Sequence, residues 1–474
     1  MMETVMNRKK LSIALCVVLC GLFGATPALL AQQTPPAKQT PPEGGPPRAF
    51  TLPKKETFTL KNGMRVTLVP YGVVPKVTVS ARVRAGNLNE SAEQVWLSVI
   101  TGSMLKEGTT TRTAEQIAQE AARMGTGINV GVGADQTSLT GDVLAEFGPQ
   151  LVALLADIMQ RPTLPASELA RMKNDRLRQL SIARTQPGAL ANERFRQLLY
   201  PNHPYGRMYP TEAMINAYTI EDIQKFYRDN FGAARTNLYV AGRFDAAAMR
   251  KAITQAFEGW ARGSDPLTSI PKPVSTRGFG FIDRPGATQS TIYLGLPILN
   301  PANPDYVALQ VTDALLGGSF ASRITSNIRE SKGYTYSPYS QVSTRYRDAY
   351  WVQIADVTTN VTGPSLKEIF YEIERLQKTP PTAEELQGIK NYLAGVFVLQ
   401  NSSRVGVINQ LAFADLHGLD DNFLNSYVQK IFAVTPQDVQ RIARTHMVND
   451  RMTLVVVGDK SKIAEQLTPY GKVE

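Results

Sequence analysis

One stretch of sequence occurs twice in the chain and indicates its fold. The first copy is Thr219-Ile-Glu-Asp-Ile-Gln224, followed by Arg235-Thr-Asn-Leu-Tyr-Val-Ala-Gly242. The second copy is Thr435-Pro-Gln-Asp-Val-Gln440, followed by Arg451-Met-Thr-Leu-Val-Val-Val-Gly458, and every matched pair lies 216 positions apart. In each copy a threonine is placed to cap a helix, and an apolar strand comes after that helix. The sequence therefore predicts two homologous halves.

Within each half, strand-like and helix-like patterns alternate. Residues 77–83 alternate between apolar and polar side chains, which predicts a half-buried strand with one face in water. Thr113-Ala-Glu-Gln116 has the spacing of a capping box and opens a helix to about Met124, and residues 147–160 and 169–183 also have helical spacing. We predict an α+β fold of two homologous halves, each a mainly antiparallel sheet with helices packed on one face.

The N-terminus has the three parts of an export signal. The basic run Arg8-Lys9-Lys10 precedes an apolar stretch, and small residues end at Ala31. We predict a cleaved signal and an exported protein, with the periplasm as the preferred location; an uncleaved anchor and lipidation at Cys20 are the alternatives. The predicted divisions are a signal peptide at 1–31, a Pro-rich disordered spacer at 32–49, an N-terminal half at 50–262, a linker at 263–274 and a C-terminal half at 275–474.

Composition excludes several classes of function. The 474 residues include 51 Lys and Arg against 41 Asp and Glu, a net charge of +10, but the basic residues are scattered and no basic groove with interleaved aromatic residues occurs. We therefore expect no nucleic-acid partner. No glycine motif for phosphate binding is present, which argues against nucleotide chemistry. The three histidines are isolated in the sequence, so no metal site is predicted in this chain.

Two motifs in the second half resemble a known family. They are Leu316-Gly-Gly-Ser-Phe-Ala-Ser-Arg323 and Ile328-Arg-Glu-Ser-Lys-Gly-Tyr-Thr-Tyr-Ser337. Together they are similar to the C-terminal half of the insulinase/pitrilysin-type zinc metallopeptidases. Supporting motifs in the first half are Asn62-Gly-Met-Arg-Val66, Arg84-Ala-Gly86, Met104-Leu-Lys-Glu-Gly-Thr-Thr-Thr-Arg112 and Pro204-Tyr-Gly206. The resemblance covers nearly the whole folded chain.

The resemblance implies an inverted zinc motif, His-x-x-Glu-His, just before Met104. The motif falls on residues 99–103, where Val99 and Ser103 replace the two histidines and Gly102 replaces the glutamate. The third ligand of the family, a glutamate, would fall near residues 176–180, which also contain no carboxylate. The resemblance therefore implies a degenerate zinc site and no metal in this chain.

The resemblance also implies that Arg329 and Tyr336 bind substrate. In the family, an arginine and a tyrosine at these positions donate hydrogen bonds to the peptide carbonyl and to the oxyanion that forms on it. The alternative from the residues alone is a surface ion pair for Arg329 and a packed strand position for Tyr336. Gly317, Gly318 and Ser319 form a candidate glycine loop; as a serine nucleophile, Ser319 lacks a nearby histidine.

The resemblance implies a non-catalytic, substrate-binding subunit of an exported heterodimeric zinc peptidase. A homologous partner chain would carry the zinc, and this chain would supply Arg329 and Tyr336 to the peptide substrate. By itself the chain would be inactive, and after signal cleavage it would not span a membrane. The alternative is a peptide-binding or scaffolding pseudoenzyme of the cell envelope that has no role in hydrolysis.

Overall fold

Residues 50–473 are described by the structure, which is a computed structural model. The predicted signal peptide and Pro-rich spacer lie outside the described residues. The described residues belong to one compact unit. Among them, no helix combines the length and hydrophobicity that crossing a bilayer requires.

The first half contains a six-stranded sheet whose strands lie in the order β1-β2-β6-β3-β5-β4. Strands β2 and β6 are parallel, and the other neighbours are antiparallel. The strands are β1 (Glu56–Thr59), β2 (Arg65–Pro70), β3 (Lys76–Val83), β4 (Asn129–Val132), β5 (Thr137–Leu144) and β6 (Thr236–Gly242). The helices are α1 (Leu97–Met104), α2 (Ala114–Arg123), α3 (Gly148–Gln160), α4 (Ala166–Thr185), α5 (Pro187–Leu199), α6 (Glu212–Ala217), α7 (Ile220–Asn230) and α8 (Ala246–Phe257).

The second half repeats this arrangement with a five-stranded sheet in the order β7-β11-β8-β10-β9. Strands β7 and β11 are parallel, and the other neighbours are antiparallel. The strands are β7 (Gly278–Asp283), β8 (Gln289–Pro297), β9 (Tyr339–Arg345), β10 (Asp348–Thr358) and β11 (Thr453–Gly458). The helices are α9 (Tyr306–Asp313), α10 (Thr362–Lys378), α11 (Ala383–Gln400), α12 (Arg404–His417), α13 (Asp421–Asn425), α14 (Tyr427–Ala433), α15 (Pro436–His446) and α16 (Lys460–Leu467).

The duplicated caps start equivalent helices in the two halves. The side chain of Thr219 accepts from the backbone N–H of Asp222, and the Asp222 carboxylate accepts from the backbone N–H of Thr219. Thr435 and Asp438 form the same box at the start of α15. The capping box predicted at Thr113 is also present. These local predictions, and the α+β fold of two halves with mainly antiparallel sheets, are confirmed.

Each sheet is covered on both faces, because one helix of each half crosses to the other half. Helix α5 of the first half packs on β11 and β8, and helix α12 of the second half packs on β6 and β3. The prediction placed helices on one face only; the opposite face carries a helix of the other half that the prediction did not include. This reciprocal packing joins the two cores.

The prediction that one face of β3 lies in water is wrong. Thr78 and Ser80 on that face are each 1% exposed, since α12 covers them. Arg404 at the start of α12 donates to the hydroxyl of Thr78 at 3.3 Å and to the carboxylate of Asp142 at 3.0 Å. The polar face of β3 is therefore a hydrogen-bonded contact between the halves, which the alternation alone does not distinguish from a wet surface.

Candidate functional site

Arg329 lies on a π-helical segment that spans Thr325–Ser331, a type of turn that is rare and concentrated at functional sites. The chain then turns at Gly333, whose φ is +64°, and the following loop is tied to strand β10. The N–H of Tyr334 donates to the carbonyl of Ile328 at 2.8 Å, and Thr335 donates its hydroxyl to the carbonyl of Asp356 at 2.7 Å. The loop that carries Tyr336 is therefore anchored at the two residues that precede it.

The structure brings Arg329 and Tyr336 together and adds a third side chain. The Cζ atom of Arg329 lies 5.1 Å from the ring centroid of Tyr336 and 4.4 Å from that of Phe320. Tyr336 is 79% exposed and Phe320 is 70% exposed, so both rings are presented to solvent. Cation–π contacts at exposed sites contribute roughly 0.5–1 kcal/mol each. The two rings hold the guanidinium in place without using its N–H donors.

The hydrogen-bond donors of this cluster remain available. In the part of the chain that the structure describes, the Arg329 side chain has one polar contact, an ion pair of 3.4 Å from its Nε to the Glu330 carboxylate, and the hydroxyl of Tyr336 makes none. A guanidinium and a phenol with free donors bind a carbonyl or carboxylate oxygen without any proton transfer. The alternative of a packed strand position for Tyr336 does not agree with its exposed ring.

The backbone at Gly317 packs closely against the sheet just before Phe320. Gly317 and Gly318 end a second π-helical segment, Ala314–Gly318. A Cβ atom on Gly317 would lie 2.5 Å from Oε1 of Gln353 and 2.6 Å from Oγ of Ser340. The candidate glycine loop is therefore a place of close backbone approach to the sheet, where any side chain is too large.

Ser319 and Phe320 follow that close approach. Ser319 is buried, and its hydroxyl has no hydrogen-bond partner among the described residues. Phe320 then points outward over Arg329. Sequence reasoning quoted Phe320 within a motif but did not select it as a site residue. Its signal was an aromatic residue directly after a glycine pair, and only the tertiary contact shows what the ring does.

In the first half, Arg176 contacts the segment that corresponds to the degenerate zinc motif. Val99, Gly102 and Ser103 lie on α1, and the hydroxyl of Ser103 donates to the carbonyl of Val99 at 2.9 Å. Nη2 of Arg176, from the neighbouring helix α4, donates to the same hydroxyl at 2.5 Å. Arg176 comes from the segment where the resemblance places the third zinc ligand.

These residues do not fit a zinc ion. Val99 and Gly102 have no side-chain ligand atom, and a Cβ on Gly102 would lie 2.4 Å from Cγ2 of Val132 on the edge strand β4. Arg176 brings a positive charge whose buried Nε has no hydrogen-bond partner in the described chain, and burial lowers the pKa of its guanidinium. The charge of the partly buried guanidinium would repel a metal cation beside it. Across residues 50–473, no three His, Cys, Asp or Glu side chains are grouped to hold a metal.

The histidines have structural surroundings. Nδ1 of His203 accepts from the backbone N–H of Tyr205 at 3.2 Å and caps a short turn. The ring of His417 lies 4.5 Å from that of Phe413, and burial lowers the pKa of His417 to about 4. His446 ends helix α15. The three side chains lie on different elements and do not form a common site.

Comparison with known proteins agrees with this geometry. The sequence model described as insulinase (peptidase family M16) matches residues 66–209, and the one described as peptidase M16 inactive domain matches residues 217–393. An uncharacterized zinc protease, YmxG, from Bacillus subtilis is 24% identical over 397 residues, which cover 83% of this chain and 96% of that protein.

Two solved structures share the fold. The peptidase M16 inactive domain from Pseudomonas fluorescens has a TM-score of 0.78 and 23% identity, covering 85% of this chain and 98% of its own. The periplasmic protease PqqL from Escherichia coli has a TM-score of 0.74 and 16% identity, covering 88% of this chain and 47% of its own. The two family matches together span more than half of the sequence and confirm the resemblance. This chain belongs to the insulinase family of peptidases, M16.

Proposed function

We propose that this chain is a non-catalytic, substrate-binding subunit of an exported heterodimeric zinc peptidase, and that it supplies Arg329 and Tyr336 to a homologous partner that carries the zinc. One observation supports the proposal: Arg329 is held between two exposed rings with its hydrogen-bond donors free, in a chain where Arg176 lies against Ser103 of the motif that resembles a degenerate zinc site. The first cluster suits a substrate carbonyl, and the second set of residues does not suit a metal ion.

The strand next to this cluster favours a peptide as the ligand. Strand β9 begins at Tyr339, three residues after Tyr336, and pairs with β10 alone in its sheet. An edge strand offers a row of backbone N–H and C=O groups to an extended peptide. A peptide that adds to this edge passes the Arg329 donors, which are suited to its carbonyl oxygens. The zinc and the water that it activates would come from the partner chain.

The proposed heterodimer includes an exported chain. The basic, apolar and small-residue parts of residues 1–31 support an export signal, and PqqL, with the same fold, is a periplasmic protease. We therefore place the heterodimer in the periplasm.

The test mixes the purified chain with a homologous zinc-bearing chain and measures hydrolysis of a fluorogenic peptide. Arg329→Ala should lower kcat/KM of the mixture by about 100-fold, the effect of removing one donor to a developing oxyanion. Tyr336→Phe, which removes only the hydroxyl, should lower it by about tenfold.

Two control variants distinguish an effect at the Arg329 cluster from the loss of any exposed arginine or tyrosine hydroxyl. Arg444→Ala removes an exposed arginine near the end of α15, and Tyr371→Phe removes the hydroxyl of a tyrosine that is also largely exposed. Both variants should leave hydrolysis unchanged. If Arg329→Ala and Tyr336→Phe bind the partner and cleave peptide as the wild type does, the assignment of these two residues fails. If the mixture never exceeds the activity of the partner alone, the chain is a pseudoenzyme without a role in hydrolysis.

A further inference from the structure

Three arginines line a cavity of about 360 Å³ where the two halves meet. Arg196 lies on α5 and Arg207 lies in the loop that follows a short turn, both in the first half, whereas Arg345 ends strand β9 of the second half. Trp96 and Tyr209 form part of the same wall. The cavity is distinct from the Arg329 cluster, because the seven residues of β9 place its two ends about 20 Å apart.

Among residues 50–473, none of these guanidiniums forms an ion pair with a carboxylate. The Arg196 side chain makes no hydrogen bond there either, and its Nε is buried. Arg207 and Arg345 bond to neutral oxygens only: Arg207 donates to the carbonyl of Glu90 at 3.2 Å, and Arg345 donates to the carbonyl of Thr344 at 2.7 Å. The Nε of Arg345 is also buried without a partner. Burial, and then the charge of Arg345, lower the pKa of Arg196 to about 10.

The nearby carboxylates are committed elsewhere. Asp135, which lines the cavity, accepts from the hydroxyl of Tyr205 with one oxygen and from the N–H of Tyr346 at 3.3 Å with the other. Asp348 accepts from the hydroxyl of Tyr200 at 2.5 Å. Burial raises the pKa of Asp135, and it raises that of Asp348 to about 6, although the charge of Arg345 acts in the opposite direction on both carboxyls. Neither acid forms an ion pair with the three arginines in the described chain.

Arg196 and Arg345 each have a buried Nε without a hydrogen-bond partner, and in the described chain no carboxylate lies within ion-pair distance of the three guanidiniums. Such desolvated charge is costly, and planar guanidinium donors match the oxygens of carboxylates and phosphates. We propose that the cavity lined by Arg196, Arg207 and Arg345 binds a small oxyanion, the carboxylate or the phosphate group of a ligand. The bound anion neutralises Arg196 and Arg345 and bridges the two halves. A cavity of about 360 Å³ accepts a phosphate monoester or the C-terminal residues of a peptide, so these are its two candidate sources.

The experiment measures the melting temperature of the full chain in chloride-balanced buffers of equal ionic strength, and uses calorimetry for affinity. The probes are inorganic phosphate and a short peptide as its free acid and as its amide. At least one oxyanion should raise the Tm of the wild type, since a ligand that binds only the folded state stabilises it. A larger shift with phosphate assigns the site to phosphate groups, and a larger shift with the free acid than with the amide assigns it to carboxylates.

Two variants and one control test whether the arginines of the cavity bind the anion. Arg196→Gln and Arg345→Gln should bind the anion roughly tenfold more weakly or worse. Arg196→Gln should also raise the Tm without ligand, because it removes an unpaired charge, whereas loss of a merely structural arginine would lower it. Arg194→Gln, on the exposed side of the same helix, should behave as the wild type does.

The proposal is overturned if no oxyanion shifts the wild-type Tm at matched ionic strength. It is equally overturned if Arg196→Gln and Arg345→Gln fold and respond to the anion as Arg194→Gln does. No partner chain enters this experiment, so its result is independent of the proposed role in hydrolysis.

Discussion

The two halves contain corresponding clefts that differ in the sign of the charge they hold and in whether side chains fill them. In the first half, α1 contacts both α4 and the edge strand β4; in the second half, α9 contacts both α11 and the edge strand β9. The first cleft is closed by the contact between Arg176 and Ser103, with Val132 lying against Gly102. The second opens into a cavity of about 660 Å³ whose wall includes Asp313 at the end of α9.

The unpaired charge in the second cleft is an acid. One oxygen of Asp313 accepts from the hydroxyl of Ser340 at 2.5 Å and from Nε1 of Trp351 at 2.7 Å, and the other has no partner among the described residues. The position in α11 that corresponds to Arg176 is Leu393, which supplies no counter-charge. The duplicated framework therefore tolerates very different interiors: an arginine fills one cleft, and the other holds a buried acid beside the loop that carries Phe320.

The glycines of the two clefts give the largest expected effect. Gly317→Ala places a Cβ within 3 Å of Gln353 and Ser340, and should lower the free energy of unfolding by about 3 kcal/mol because the sheet behind it is rigid. Gly102→Ala places a Cβ 2.4 Å from Cγ2 of Val132, but Val132 lies on an edge strand and helix propensity offsets about 1 kcal/mol, so the loss should be smaller than for Gly317→Ala. Urea denaturation measures both. Equal losses would show that the two clefts are packed alike.

The charge of Asp313 gives the next largest effect. Burial raises its pKa to about 6, so the folded state binds more protons than the unfolded state between the two pKa values, and stability falls as the pH rises toward 6. Asp313→Asn keeps an acceptor for Trp351 and should stabilise the chain by about 2 kcal/mol above pH 6. That advantage should vanish as the pH falls toward 4, as unfolding curves at several pH values would reveal.

An exposed acid provides the control for that experiment. Asp305→Asn breaks the ion pair with Arg441, whose hydrogen bond and charge lower the pKa of Asp305. It should show the opposite sign, a loss of stability at neutral pH. A constant difference between wild type and Asp313→Asn across the pH range would mean that Asp313 does not titrate as a buried acid.

The contact that closes the first cleft should be worth less. Ser103→Ala removes the acceptor of Arg176 and should cost about 1 kcal/mol. In the Arg176→Met background the same change should cost almost nothing, because the guanidinium is already absent, and the double-mutant cycle should give a coupling of about 1 kcal/mol. Additive effects of the two substitutions would show that Arg176 does not hold the cleft closed.

Zinc should have no effect at all. Because Val99 and Gly102 offer no ligand atom and the Arg176 guanidinium lies against Ser103, added zinc should leave the Tm of the isolated chain unchanged, and metal analysis should find zinc far below one ion per chain. A chain pretreated with EDTA serves as the reference. Stoichiometric zinc, or a Tm that rises with zinc and returns with EDTA, would contradict a closed first cleft.

Local rules predicted the elements well. The helix starts at Thr113, Thr219 and Thr435 depend on hydrogen bonds to residues three positions on, so a short window of sequence contains all the information. The two halves followed from the internal repeat. The positions of Arg329 and Tyr336 came from the family motif, and their proximity is a finding of the structure.

Contacts between residues far apart in the sequence could not be predicted from local patterns. Arg176 and Ser103 are 73 positions apart, and Arg404 and Thr78 are 326 apart. The alternation in β3 indicated a polar face but did not say whether water or α12 covers it. In the same way, nothing local shows that Phe320 lies over Arg329, or that Arg196 and Arg345 line one cavity.

Residue types and short spacings were enough to predict the α+β elements, the duplication, the family resemblance and the absence of histidine and carboxylate at residues 99–103. Tertiary contacts set which helix covers which sheet face, which side chain lies against Ser103 and where charges lack partners. The physical reason is that the energy of a buried charge depends on everything that surrounds it, and those neighbours come from both halves of the chain.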